Sequence, residues 1–152
     1  MKAVLQRVTE GSVAVDGVIA GEIGPGLVIL LGVVQGDTGQ HARFLAEKVA
    51  RLRIFEDGAG KLNRSLLDMG GEALVISNFT LCANARKGNR PSFTASADPG
   101  TAERLYEYFS DVLKESGVAK VDKGVFGGDM QISLTNDGPV TIILDTDEIM
   151  PQ

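Results

Sequence analysis

The sequence predicts a single α/β domain: one curved, barrel-like and mostly antiparallel sheet with two covering helices. Three observations predict it. Short apolar runs separated by Gly, Pro and Asp-Gly turns fill the chain as far as Val34 and return after Ala119, the pattern of strands joined by tight connections. Two segments, Thr38–Arg53 and Asp98–Ser116, instead carry apolar residues at helical spacing. The length, 152 residues, suits one domain over 1–152 that buries a core without disulfides or metals.

Lys2–Val8 lacks turn residues and reads as the first strand. Ser12–Val15 and Val18–Ile23 flank Asp16-Gly17, a two-residue hairpin signal. Gly24-Pro25-Gly26 turns the chain into Leu27–Val34, apolar throughout and therefore buried on both faces. These segments form an N-terminal antiparallel meander. Thr38 caps a helix to about Arg53, with Ala42, Leu45, Val49 and Leu52 on one face. Arg53-Ile54-Phe55 reads as a short strand and Glu56–Lys61 as a turn. Gly70-Gly71 precedes a central strand, Glu72–Phe79, and Ala83–Ala97 is a polar loop. Asp98-Pro99 starts the second helix and Gly117 stops it; Leu105, Phe109, Val112 and Leu113 are its buried stripe. Ala119–Val125, Met130–Leu134 and Val140–Leu144 complete the sheet.

Composition excludes several classes. Hydrophobic residues at 43% and charged residues at 23% argue against disorder. A net charge of −5 argues against broad nucleic-acid binding and makes DNA an unexpected partner, while leaving room for a local basic patch that meets one end of an RNA. Cys82, the one cysteine, has no disulfide partner within the chain, so a reducing, cytoplasmic compartment is expected. No apolar run reaches membrane-spanning length and no signal peptide is expected.

Most candidate motifs favour plain readings. There is no phosphate loop and no Cys/His ligand spacing, so neither cofactor nor metal is expected. His41 reads as a solvated helix residue, Cys82 as a packing residue, and Asp145, Asp147 and Glu148 as a solvated acidic tail. Asp122 and Asp129 are too isolated to form a catalytic carboxylate pair.

Two segments carry more. Ser77-Asn78-Phe79-Thr80-Leu81-Cys82-Ala83 leaves the end of an apolar strand, where freed backbone N–H groups can stabilise an oxyanion; the plain reading is a capped strand end with Phe79 in the core. Asn136-Asp137-Gly138-Pro139-Val140-Thr141 lies between two expected strands, where the plain reading is a hairpin turn.

Together these segments closely resemble the D-aminoacyl-tRNA deacylase family. The resemblance runs along nearly the whole chain, through Gln6-Arg7-Val8, Gly21–Leu27, Leu52–Asp57, Lys87-Gly88-Asn89-Arg90-Pro91-Ser92-Phe93 and Phe126–Gln131 as well as the two signature segments. It implies a homodimer that acts on the 3′ acceptor end of tRNA carrying a D-amino acid or glycine. It implies that Gly138-Pro139 is cis and enters the partner's site, excluding L-side chains by collision. It places Ser77, Phe79 and Thr80 at the catalytic centre. Thr80 then either acts as a nucleophile, which would need an activating base, or stands by while the Phe79 and Thr80 N–H groups hold the carbonyl and the ribose 2′-OH helps activate water. The resemblance also puts Arg7 near the site mouth and Asn78, Phe126 and Met130 against the substrate; the plain readings are a surface arginine and ordinary core packing. Arg86, Lys87 and Arg90 become candidate phosphate contacts. Two departures stand out: Asn78 replaces the family's usual glutamine, shortening that arm by one methylene, and Cys82 replaces a common aromatic.

The alternatives are a related editing domain that removes a mischarged L-amino acid such as serine or alanine, and a non-catalytic RNA-binding module. The complete Asn136–Thr141 segment disfavours the first, and the modest basic content disfavours the second.

Overall fold

The computed structural model describes residues 1–152. In chain order the elements are β1 (Lys2–Val15), β2 (Val18–Ile23), β3 (Gly26–Gly32), α1 (Gly39–Arg51), β4 (Phe55–Glu56), β5 (Leu62–Arg64), α2 (Leu66–Met69) and β6 (Glu72–Ser77). A 3₁₀ turn (Phe79–Cys82), α3 (Pro99–Glu115), β7 (Lys120–Lys123), β8 (Met130–Asp145) and α4 (Thr146–Ile149) follow. No helix is long and apolar enough to cross a membrane.

Local chemistry accounts for the boundaries that were foreseen. Asp16 and Gly17 both take positive φ, 51° and 77°, the pair that matches hairpin twist. Thr38 caps α1 reciprocally with His41, whose Nδ1 accepts the Thr38 N–H at 3.0 Å, so His41 is a capping residue rather than a merely solvated one. Asp98 caps α3 by accepting the Thr101 N–H at 3.0 Å, with Pro99 at the first helical position.

The sheet order is β2-β1-β3-β6-β7, with β8 on the other edge of β1. β1 is one strand rather than the expected two. Its first half pairs with β3, its second half with β2, and β8 lies antiparallel along both halves. β6 is parallel to β3 and to β7, so the sheet is antiparallel around β1 and parallel around β6. Each parallel connection carries a long helix, as parallel neighbours require. The sheet curls until β2 meets β7. There the Glu22 N–H donates to Asp122 Oδ2 at 2.9 Å and Lys120 Nζ donates to the Glu22 carbonyl at 2.8 Å, nearly closing the barrel without a ladder.

Side-chain alternation then makes two cores. Leu27, Ile29 and Leu31 pack with Leu45, Val49, Leu105 and Phe109 under α1 and α3. Val28 points the other way and joins Val8, Val13, Ile23, Leu74 and Ile76 inside the curl. This is why Leu27–Leu31 is apolar at every position.

Four further expectations need correction. The strand expected at Arg53–Phe55 begins at Phe55 and forms a small hairpin with β5. β6 stops at Ser77 rather than Phe79. Met130–Leu134 and Val140–Leu144 are one continuous strand, β8. Asp145 belongs to no solvated tail: it pairs with Lys2 at 3.1 Å and caps α4 through the Asp147 N–H.

Gly26 begins β3 so close to β6 that an added Cβ would stand 1.8 Å from the Glu72 carbonyl oxygen. Gly26→Ala is expected to cost about 3 kcal/mol or more in urea unfolding. Gly58→Ala, whose Cβ meets nothing within 4 Å, should leave the midpoint nearly unchanged.

Candidate active site

The first signature segment owes its shape to three anchors. The Asn78 N–H donates to the Leu31 carbonyl at 2.7 Å, the last bond tying it to β3. The chain then tightens into the 3₁₀ turn, with Leu81 N–H to Asn78 O at 3.3 Å and Ala83 N–H to Thr80 O at 3.1 Å. Cys82 is buried, and its thiol donates to the Val33 carbonyl at 3.6 Å. Burial raises the Cys82 pKa, so this thiol is a packing group and a poor nucleophile. With both ends held, Phe79 and Thr80 are pushed outward.

Phe79 is 59% exposed, so it is not the core residue of the plain reading. Its ring meets Phe93 edge-on, centroids 5.2 Å apart, and its carbonyl accepts the Ser96 hydroxyl at 3.3 Å. The Phe79 and Thr80 N–H groups lie in the first turn of the 3₁₀ segment, where the turn itself offers no acceptor, and neither donates elsewhere in the chain. The Thr80 hydroxyl donates to Asn78 Oδ1. The shortened arm of Asn78 is therefore occupied in orienting Thr80.

These groups face a cleft of about 880 Å³ whose other walls are α3, the 83–97 loop and the 126–130 segment. Ser77, Asn78, Phe79, Thr80, Phe126 and Met130 all line it. Phe126 and Met130 also pack partly against the two cores, as their plain reading expects. Sequence reasoning missed Tyr106 as a wall. Its ring lies 5.9 Å from that of Phe126 and its hydroxyl donates to the Val75 carbonyl at 3.1 Å. Burial pushes its phenol up, leaving a neutral surface. Asp129 is the one carboxylate in the lining, which contains no histidine, lysine or cysteine.

The second signature segment is a bulge rather than a hairpin turn. Gln6 pairs with Thr141 and Val8 with Asn136, so Arg7 alone on β1 faces four residues of β8, Asp137–Val140. Asn136 closes the neck of this excursion. Its amide donates to Gln6 Oε1 at 2.7 Å and to Thr141 Oγ1 at 3.0 Å, and its Oδ1 accepts the Val140 N–H at 3.0 Å. Gly138 and Pro139 sit exposed at the tip, joined by a cis peptide bond. Gly138 has φ +133°, a conformation that favours glycine.

Arg7 is no surface arginine: it is 6% exposed. Its Nε donates to the Asp137 carbonyl at 3.0 Å and its Nη1 to the Ile54 carbonyl at 3.1 Å. Glu56 and Asp137 carboxylates lie 3.7 Å from it. It positions the bulge and does not line the cleft of its own chain. Gly138 and Pro139 do not line that cleft either. Arg86, Lys87 and Arg90 lie on the exposed loop beyond the 3₁₀ turn, and none forms an ion pair. One chain therefore holds the predicted residues in three separate groups. The residues that sequence reasoning passed over in these groups are Gln6 and Asn136 at the bulge and Phe93, Ser96 and Tyr106 at the cleft. Of these, Gln6, Phe93 and Asn136 lay within stretches that carried the resemblance.

Arg7→Ala would strand two carbonyl oxygens. A loss of about 2–3 kcal/mol is expected in urea unfolding, together with faster hydrogen exchange at the Val140 N–H. Unchanged exchange would show that Asn136 holds the bulge alone.

The profile of the D-Tyr-tRNA(Tyr) deacylase family matches residues 4–145. A D-aminoacyl-tRNA deacylase of Roseiflexus castenholzii is 58% identical, over 96% of this chain and 92% of its own. One of Ruegeria pomeroyi is 55% identical, over 95% and 99%. A solved structure described as a c-Myc DNA unwinding element binding protein superposes with a TM-score of 0.90 at 40% identity, covering 95% of this chain and 98% of that one. With the family profile covering both signature segments and curated relatives matching from end to end, the chain belongs to the D-Tyr-tRNA(Tyr) deacylase family.

Proposed function

We propose that this chain hydrolyses the ester of D-aminoacyl-tRNA, and of mischarged glycyl-tRNA, as a homodimer in which each cleft is completed by the partner's Gly138-Pro139 bulge. The observation that carries the chemistry is the pair of unpaired N–H groups at Phe79 and Thr80, beside a cleft that lacks a histidine or thiol base. An aminoacyl ester is already activated, so holding its carbonyl against two N–H donors lowers the barrier to attack by water. Water adds to the carbonyl carbon, the oxyanion is held by Phe79 and Thr80, and the bond to the ribose oxygen breaks to release amino acid and tRNA. The ribose 2′-OH assists the proton transfer. Thr80, whose hydroxyl is donated to Asn78, orients the substrate and does not attack it.

Chirality is decided by exclusion. Two features support a partner's bulge in this role: the Gly-Pro tip is exposed and lies away from its own cleft, and the outer edge of β8 has no strand partner within the chain. Backbone carbonyls at the tip would occupy the volume an L-side chain needs, while a D-residue or glycine directs only hydrogen there.

Single-turnover assays with D-Tyr-tRNA, L-Tyr-tRNA, L-Ser-tRNA and L-Ala-tRNA test the reading. Rapid loss of the D-ester alone is expected. Preferential loss of an L-ester would assign the chain to L-amino-acid editing, and tRNA binding without turnover would make it a binding module. Thr80→Ala should retain activity within about tenfold, whereas removing a nucleophile costs several orders of magnitude. Gly138→Ala places a Cβ 2.8 Å from the Val140 nitrogen and should displace the tip. The preference for D- over L-Tyr-tRNA is then expected to fall about tenfold or more; an unchanged preference would remove the bulge from chiral selection.

A further inference from the structure

A second group of cations lines a depression that shares no residue with the loop of Arg86. Lys48 and Arg51 in the last turn of α1 and Arg53 just beyond it are all exposed, and none has an ion-pair partner. With Phe44, Glu47 and Leu52 they line a depression of about 370 Å³, and Lys48 Nζ sits 5.6 Å from the centre of the Phe44 ring. Glu47 is engaged with Arg43 at 3.2 Å, and Asp68, which feels the charge of Arg53, is held by the Ser65 N–H at 2.8 Å. Complementing a helix C-terminus explains Lys48 and Arg51. It does not explain Arg53, which lies outside the helix. In a chain of net charge −5, three free cations around one concave surface make a local anion site.

Its place in the fold identifies the anion. Arg7 donates to the carbonyl of Ile54, the neighbour of Arg53, and to that of Asp137, the neighbour of Gly138. The patch and the Gly-Pro tip are thus linked through one side chain and travel together. We infer that Lys48, Arg51 and Arg53 bind backbone phosphates of the acceptor arm whose end enters the partner's cleft, an inference that rests on the cross-subunit reading above. The tRNA is then held by cations of both protomers: Arg86, Lys87 and Arg90 of the chain supplying the cleft, and Lys48, Arg51 and Arg53 of the chain supplying the tip. Phosphate contact of this kind adds affinity and register without reading bases.

The test uses the full-length triple variant Lys48→Gln, Arg51→Gln, Arg53→Gln, with thermal unfolding as the check on folding. Three readouts are compared with the unsubstituted protein. The log–log salt slope for binding uncharged tRNA should shrink by about 2 to 3, the release expected for three phosphates. The kcat/KM on D-Tyr-tRNA should fall about tenfold or more. Hydrolysis of D-tyrosyl-adenosine, which has no upstream phosphates, should be unchanged. An unaltered salt slope, or equal loss on both substrates, would overturn the proposal. If the unsubstituted protein hydrolyses neither substrate, the deacylase reading fails by itself, and the salt slope still decides whether the patch meets RNA.

Discussion

Arg7 stands alone on β1 opposite four residues of β8, three more than the ladder would hold, and its guanidinium ties the backbone of that excursion at Asp137 to the backbone at Ile54, just before β4. Removing four residues from a ladder leaves carbonyls and N–H groups without their strand partners, a cost the fold must offset. Arg7 satisfies Asp137 O and Ile54 O, while Asn136 satisfies Val140 N and reaches Gln6. The projecting Gly-Pro tip depends on this small polar network. Because Arg7 is buried while Glu56 and Asp137 are each more than half exposed, its value lies in the two carbonyl bonds more than in the ion pairs, which solvent weakens.

The cleft follows a similar economy. Its donors are backbone N–H groups made available where β6 ends, and its walls are aromatic and apolar side chains fixed by the helix-side core. Tyr106 illustrates the coupling between packing and site: the same ring that fills the core under α3 forms the cleft floor, with its hydroxyl bound to β6. A site assembled this way needs few specialised side chains, which fits a substrate whose ester is reactive before it arrives.

Much of this was legible in the sequence, and the pattern of what was not is physical. Asp16-Gly17, Thr38 and Asp98-Pro99 act through their own backbone neighbours, so their turn and caps could be read locally. Thr9–Gly11 looks like an interruption but is carried as strand because β8 pairs across it, a contact spanning most of the chain. Asn136–Val140 looks like a turn for the converse reason: the partners that make it a bulge, Gln6 and Arg7, are at the other end of the sequence. The parallel placement of β6 beside β3 was equally hidden, since it depends on which strands become neighbours. Ser77–Thr80 stood out as a segment. The roles of Phe93, Ser96 and Tyr106 emerge only once the 83–97 loop and α3 fold back over it.

The absence of imidazole and thiol from the cleft bears on how the reaction would respond to acidity. Side-chain bases usually stamp their own titration on an enzyme's rate. With no imidazole or thiol in the lining, the groups that titrate near neutrality would be those of the substrate and solvent: the free α-amino group of the esterified residue, its basicity lowered by the adjacent ester, and hydroxide itself. A protein built in this manner hands control of its rate profile to its cargo.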